Sequence, residues 1–146
     1  MEKRKRIALV AHDARKADLL EWVERNAAKL NRHQLFATGT TGNLLATKCD
    51  CAITCLKSGP LGGDQQLGAM IADDKLDILI FFWDPMSAQP HDVDVKALLR
   101  MSVLYNVAVA CNRSSADFLI SSDLFDTPYQ TKVTDYGAYL TRLKDK

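Results

Sequence analysis

Residues 77–83, DILIFFW, decide the fold, because six apolar residues follow one another there without a polar interruption. A strand with one solvated face alternates apolar and polar residues, whereas an unbroken run of this kind is typical of a strand buried on both faces of a parallel sheet. Four further apolar runs are IALVAH (7–12), QLFATG (34–39), CAITCL (51–56) and VAVACN (107–112). The sequence therefore predicts five strands.

Two segments between these runs have the apolar spacing of amphipathic helices. Residues 14–30 place on one helical side Leu19, Leu20, Trp22, Val23, Ala27 and Leu30. Residues 94–105 do the same with Val95, Leu98, Leu99 and Val103. Strands alternating with helices indicate βαβ units with right-handed crossovers. We expect an α/β fold, a three-layer sandwich around a five-stranded, mostly parallel sheet, with a short amphipathic helix in the tail at 135–146.

Composition limits the classes of function. A chain of 146 residues is long enough for one domain, spanning 1–146, with a single sizeable core. Its net charge of +1 leaves no electrostatic footprint for nucleic acid. The basic start MEKRKR precedes an apolar run too short for a signal peptide, and no segment is long enough to span a bilayer. We expect a cytoplasmic protein that binds neither nucleic acid nor a membrane.

Four cysteines, Cys49, Cys51, Cys55 and Cys111, occur in this chain. Their spacing lacks the paired Cys-x2-Cys of structural zinc sites, and no histidine is near them in sequence. We predict reduced, buried thiols that pack as small apolar residues, and no metal.

Polar residues follow the first two predicted strands, where ligands of such sheets bind. AHDARK (11–16) brings His12, Asp13 and Lys16 to the start of a helix. Asp13 can be a helix cap, whereas a lysine in a first turn opposes the helix dipole unless an anion lies nearby. ATGTTGN (37–43) offers small residues, threonine hydroxyls and a helix N-terminus, which suit a phosphate but are also typical of a simple cap.

The third and fourth predicted strands end in acids and a histidine. SGPLGGDQQLG (58–68) crowds four glycines around Asp64, which is either a helix N-cap or a functional carboxylate. FFWDPMSAQPHDVD (81–94) carries Asp84, His91 and Asp94; the histidine can shuttle or polarise protons, or be surface decoration. Together the four strand ends predict a phosphate cradle beside an acid/base pair.

These motifs, LVAHD, ATGTTGN, SGPLGGDQQ, FFWDP, PHDVDVKALLR and ADF, resemble methylglyoxal synthases over residues 6 to about 120, in order and at similar spacing. The resemblance implies a homohexameric lyase that converts dihydroxyacetone phosphate to methylglyoxal and inorganic phosphate. It implies no metal and no organic cofactor, and phosphate as both product and inhibitor.

The resemblance also implies residue roles. Asp64 matches the catalytic base, His91 the group that polarises the carbonyl oxygen, and Asp84 and Asp94 the acids that shape the charge around the reaction. Positions matching substrate or phosphate contacts are His12, Lys16, Thr38, Gly39, Thr40, Thr41, Ser58 and Gly59. Asp13 and Arg100 match a salt bridge between subunits that is associated with allostery.

One position departs from the family pattern. After DYxxY the family has an arginine one place later than Arg142, where this chain has Leu143, which puts a contact with a neighbour's site in doubt.

The main rival function is a regulatory domain that binds phosphate without turnover; the presence of Asp64, His91 and Asp94 favours the enzyme. A phosphatase acting through Asp13 would lack a DxD motif.

Overall fold

The structure, a computed structural model, describes residues 1–137 and residue 141. The strands in that part of the chain are β1 (Arg6–Ala11), β2 (Gln34–Thr38), β3 (Ile53–Leu56), β4 (Ile78–Phe82) and β5 (Ala108–Ala110). The α-helices are α1 (Lys16–Leu30), α2 (Gly39–Lys48), α3 (Gly63–Ala72), α4 (Asp92–Leu104) and α5 (Arg113–Ser121). Short 3-10 turns at Asp13–Arg15 and Gly59–Leu61 lead into α1 and α3.

The five strands form one sheet in the order β3-β2-β1-β4-β5, and every neighbouring pair is parallel. The predicted α/β architecture with a five-stranded parallel sheet is confirmed. The chain builds outward from β1 in one direction and then, with β4, in the other. In such sheets the crevice for ligands lies beyond the carboxyl ends of the strands, at the point where the order reverses.

Both faces of the sheet are buried, which explains the unbroken apolar runs. In β4, Ile78, Ile80 and Phe82 join one core cluster, and Leu79 and Phe81 join the other. The first cluster packs against α1, α2 and α5 and the second against α3 and α4, so the sheet is the middle layer of three. All of these side chains in β4 are at most 2 % exposed.

The two edge strands are shorter than predicted. Cys51 donates its N–H to Cys49 O at 2.8 Å, which takes it out of the ladder, and β3 begins at Ile53. Asn112, predicted as the end of a strand, instead caps α5 by accepting from Ser115 N at 3.0 Å. Local hydrogen bonds compete with strand pairing most effectively at an edge, where each strand has only one neighbour.

The predicted apolar face of α4 is wrong at Val103, which is 81 % exposed. The buried positions are Val95, Leu98 and Ser102, and they leave the neighbouring Val103 on the outer face. Ser102 can occupy this buried position because its hydroxyl donates to Leu98 O at 2.9 Å. The predicted apolar face of α1 agrees more closely with the structure. Leu19, Trp22, Val23 and Leu30 are buried, while Leu20 and Ala27 are partly buried against the same core.

The prediction of buried cysteines holds for only part of the set. Cys49 and Cys51 are buried, Cys111 is half-buried and Cys55 is exposed; all four are free thiols. Cys55 lies on the edge strand β3, where one side of the strand has no neighbour, so the prediction of a buried thiol is wrong there.

The N-terminus contacts the segment that follows α5. The N-terminal amine and Tyr129 O are 3.0 Å apart, and Tyr129 N donates back to Met1 O at 3.0 Å. The helix predicted at 135–146 and Arg142 lie largely outside the described residues. No described helix is both long and apolar enough to cross a membrane. The single-domain assignment of 1–146 stays a prediction.

Candidate active site

A small cleft of ≈ 70 Å³ lies beyond the carboxyl ends of β1 to β4, where the strand order predicts a ligand. Ten of the predicted site residues line it: His12, Asp13, Lys16, Thr38, Thr40, Thr41, Ser58, Gly59, Asp64 and His91. Four others do not line it: Gly39, Asp84, Asp94 and Arg100. The structure therefore brings together residues that are far apart in sequence, as the convergence of the strand ends predicted.

Asp64 enters the cleft at the start of α3 because two glycines make the preceding turn possible. Gly62 has φ of 97°, which favours glycine. A Cβ on Gly63 would lie 2.1 Å from Lys57 O, so only glycine fits there. The Asp64 side chain makes no cap hydrogen bond to α3, which argues against the reading of Asp64 as a helix cap.

The Asp64 carboxylate is buried yet incompletely paired. The residue is 3 % exposed, and its Oδ2 has no hydrogen-bond partner in the described chain. Burial raises the pKa of Asp64 above its ordinary value; the Asp94 charge raises it further, while His91 and His12 act in the opposite direction. A carboxylate with a raised pKa is a stronger base. An unpaired buried acid costs folding free energy, and such groups cluster at functional sites.

His91 faces this carboxylate. Its Nε2 lies 3.7 Å from Asp64 Oδ2, which is longer than a hydrogen bond and places the two groups on either side of a narrow gap. Gly59 forms the wall beside them: a Cβ there would lie 2.9 Å from His91 Nε2 and 3.3 Å from Asp64 Oδ2. Glycine at this position lets the acid and the imidazole approach one reacting group.

His12 presents a second imidazole to the cleft. Its Nδ1 accepts from Asp84 N at 3.2 Å, so the neutral ring carries its proton on Nε2, which is buried and has no described partner. Burial, and secondarily the nearby His91, lowers the pKa of His12, which favours the neutral ring at pH 7. Its ring packs edge-on against Phe81 with centroids 5.1 Å apart. His12 is thereby oriented as an N–H donor.

Lys16 and the threonines at the start of α2 form the cationic side of the cleft. The Lys16 ammonium lies 2.5 Å from Asp13 Oδ1 and 2.7 Å from Thr40 Oγ1. The hydrogen bond from Lys16 lowers the pKa of Asp13. Thr38 makes no side-chain cap to α2, so the N–H groups of Thr40 and Thr41 have no partner earlier in the helix. A lysine, hydroxyls and free amides at a helix N-terminus suit a phosphate.

The resemblance implies that Gly39 contacts a ligand, whereas in the structure Gly39 makes its contacts within the protein. Its N–H donates to Lys57 O at 3.1 Å, so it is already used within the protein. A Cβ on Gly39 would lie 2.8 Å from Ser58 N. Gly39 therefore lets the turn after β2 pack closely on the turn after β3, and Ser58 takes its position in the cleft from this contact.

The remaining predicted acids and Arg100 stand behind the cleft. The carboxylate of Asp84 accepts from Met86 N at 3.0 Å, and only its backbone N–H reaches a cleft residue, His12. Asp94 accepts from Gln65 Nε2 at 2.7 Å and acts on Asp64 through its charge. The Arg100 guanidinium is exposed, with Nη2 3.5 Å from Met101 Sδ.

Sequence reasoning missed five residues that line the cleft: Val10, Ala11, Pro60, Phe81 and Gln89. Phe81 was placed in a strand, and alternation along that strand would have shown that it shares a face with Leu79. Gln89 lies in the loop before His91, and no local pattern distinguishes it. In the described part of the chain no group of three or more His, Cys, Asp or Glu is arranged to hold a metal ion.

Comparisons with known proteins point to one family. A family described as MGS-like domain matches residues 18–111. A protein from Proteus mirabilis (strain HI4320) named methylglyoxal synthase is 59% identical over 141 residues, which cover 96% of this chain and 93% of that one. One of the same name from Coxiella burnetii (strain RSA 493 / Nine Mile phase I) is 52% identical over 95% of this chain and 97% of its own length. The crystal structure of methylglyoxal synthase from Elizabethkingia anophelis NUHP1 superposes with a TM-score of 0.93, at 54% identity, covering 97% of this chain and 93% of that chain.

Proposed function

This chain belongs to the methylglyoxal synthase family, and from that premise we propose that it is the lyase that converts dihydroxyacetone phosphate to methylglyoxal and inorganic phosphate. The observation that carries the proposal is the Asp64 carboxylate, which is buried, unpaired at Oδ2 and faces His91 Nε2 across 3.7 Å, in the same cleft as the uncapped N-terminus of α2.

In the first step Asp64 takes a proton from the hydroxymethyl carbon of the substrate, and the electron pair of that C–H bond moves toward the neighbouring carbonyl. An enediolate forms, with the new negative charge on the former carbonyl oxygen. The raised pKa of Asp64 suits the step, because a base works best when its pKa lies near the working pH.

The developing oxyanion needs hydrogen-bond donors that are already in place. His91 Nε2 lies beside the Asp64 carboxylate, and His12 Nε2 is buried with no hydrogen-bond partner in the described chain. Donors fixed in a buried site need no reorganisation when the charge appears, which is why such groups lower a barrier strongly. We assign the carbonyl oxygen to His91, with His12 as a neighbouring donor to the substrate.

In the second step the hydroxyl group on the carbon that lost its proton releases its own proton to water, and its electron pair forms the aldehyde C=O. The enediolate double bond shifts toward the phosphate-bearing carbon, and phosphate leaves with the electrons of the broken C–O bond. The enolate that remains takes up a proton from water on that carbon to give methylglyoxal. Elimination needs the breaking C–O bond roughly perpendicular to the enediolate plane. Lys16, Thr40, Thr41, Ser58 and the adjoining amides hold the phosphate in that orientation in our proposal, which distinguishes the reaction from simple isomerisation.

Assembly and regulation follow from the same family resemblance. We propose a cytoplasmic homohexamer without metal or organic cofactor, in which Asp13 of one subunit pairs with Arg100 of a neighbour and phosphate inhibits. Both side chains are exposed in the single chain, with 93% of the Asp13 side chain accessible, so both are available to a neighbour. Sedimentation of the purified protein tests the assembly.

The reaction is tested by supplying dihydroxyacetone phosphate and measuring methylglyoxal and phosphate release. We expect both products in equal amounts from the parent, and Asp64→Asn to lower kcat by about three orders of magnitude or more with KM little changed. Asp73→Asn is the matched control, because Asp73 ends the same helix but is exposed and pairs with Lys75 at 2.9 Å. Binding of phosphate without product formation would instead favour the regulatory module.

A further inference from the structure

The two glutamines that follow Asp64 have no part in the reaction described so far. Each makes one hydrogen bond of 2.7 Å that leaves helix α3. Gln66 Oε1 accepts from the backbone N–H of Lys57, at the end of β3, and Gln65 Nε2 donates to Asp94 Oδ1, in the first turn of α4. Exposed glutamines have many rotamers, so two such cross-element contacts beside a catalytic residue call for an explanation.

We propose that Gln65 is a positioning residue, whose side-chain amide holds the Asp94 carboxylate against α3 and thereby keeps a negative charge beside Asp64. This inference rests on the proposed function, in which Asp64 is the base.

The packing of α3 on α4 gives the contact its geometry. Leu67 and Ile71 of α3 and Val95 and Leu98 of α4 belong to one core cluster, so the two helices are held together along their length. Asp94 directly precedes the buried Val95, which brings its carboxylate to the seam beside Gln65. Without the amide, this carboxylate is free to rotate away from α3.

The chemical type of the donor is informative. An arginine or lysine at position 65 would hold Asp94 equally well but would cancel its charge. A neutral amide holds the carboxylate in place and leaves the charge intact. Like charges close together disfavour ionisation of each other, so the fixed Asp94 strengthens Asp64 as a base.

The other charged or titratable groups that act on Asp64 are His91, at the start of α4, and His12, after β1. Both oppose Asp94, because a protonated imidazole favours the ionised acid. Neither is hydrogen-bonded to the Gln65 side chain in the described chain, whose partner is Asp94, so we expect a change at position 65 to reach Asp64 through Asp94.

The test compares Gln65→Met, which releases Asp94, with Gln65→Arg, which holds Asp94 but neutralises it. Carboxyl ¹³C NMR of the intact protein follows the titration of Asp64, and steady-state kinetics give kcat and KM against pH. We expect Asp64 to titrate at lower pH in both variants, and kcat to fall about fivefold with KM changed less than twofold, as expected for a weakened base.

Two further variants separate positioning from general structural damage. Gln66→Met removes an equally short bond from the same helical turn, but its partner is an uncharged N–H, so Asp64 should titrate as in the parent. In an Asp94→Asn background, Gln65→Met should have no additional effect on the titration of Asp64. Equal titration of Asp64 in the parent and Gln65→Met, or additive effects in the double variant, would overturn the inference. The NMR titration needs no turnover, so failure of the proposed reaction is seen separately, as absence of methylglyoxal from the parent.

Discussion

Gly59→Ala tests how closely the site depends on the approach of two side chains. The added Cβ would lie 2.9 Å from His91 Nε2 and 3.3 Å from Asp64 Oδ2, where ordinary contact begins at 3.4 Å. His91 must therefore retreat by about 0.5 Å, which disturbs its alignment with the substrate oxygen that we assign to it. The φ of Gly59 is not positive, so the effect comes from the new methyl group rather than from backbone strain.

A displacement of this size at the reacting groups should lower kcat roughly 10- to 100-fold, because a misplacement of about 1 Å costs on the order of 10²-fold. Overpacking should also reduce the free energy of unfolding by about 1–3 kcal/mol. The assay is steady-state release of methylglyoxal from dihydroxyacetone phosphate, together with urea unfolding of the same preparations.

Gly68→Ala is the matched control. Gly68 lies inside α3, and apart from its chain neighbours and the backbone of its own helix, no described atom is within 4 Å of the position that its Cβ would take. We expect unchanged kcat and a stability gain of about 0.5–1 kcal/mol, because alanine favours a helix over glycine. If Gly59→Ala keeps the kcat of the parent while folded, the gap between Asp64 and His91 is not what limits the reaction.

Two other predictions concern charged groups. Lys16→Met should raise KM for the substrate about 10- to 100-fold, because a charge-assisted contact to phosphate is lost. Lys75→Met is the control, because Lys75 is exposed and should leave KM unchanged. Equal KM values for the two variants in a steady-state assay would remove Lys16 from the phosphate site. Burial lowers the pKa of His33 from 6.5 despite the nearby Asp126, so the unfolded chain binds a proton more readily than the folded chain. The contribution of neutral His33 to stability is therefore present above pH 6.5 and is lost as the pH falls below that value, toward the lower pKa of the folded state. His33→Gln, which can still accept from Lys5 N, should flatten the dependence of the free energy of unfolding on pH between 7.5 and 5.5, measured by urea denaturation; an unchanged slope would assign the dependence to other groups.

Much of the fold could be read from the sequence because the central strands are buried on both faces. The run at 77–83 is apolar on both faces of the strand, which leaves no face for solvent. This unbroken apolar character indicates a parallel sheet before any contact is known. The same holds for the turn before Asp64: glycines at 62 and 63 before an acid predict a tight bend, and the structure shows a positive φ at the first and an excluded Cβ at the second.

The ends of strands and the buried faces of helices were less predictable from the sequence where two local arrangements compete. Val103 and Ser102 are neighbours on α4, and hydrophobicity alone favours the valine for the core. The serine takes the buried place because its hydroxyl finds Leu98 O, a partner that exists only once the helix has formed. Cys55 was expected to be buried, but it lies on an edge strand, and the order of strands cannot be read from one strand's sequence.

The sequence by itself determined which chemical groups arrive at the carboxyl edge of the sheet: imidazoles, acids, a lysine and a set of hydroxyls. Only the tertiary structure decided which of them meet. It brings His91 to 3.7 Å from Asp64, joins Lys16 to Thr40, and leaves Gly39 packed against Ser58 instead of facing the cleft. The reason is physical: the period of a strand or helix fixes the direction of each side chain within its own element, whereas distances between elements depend on how their faces pack.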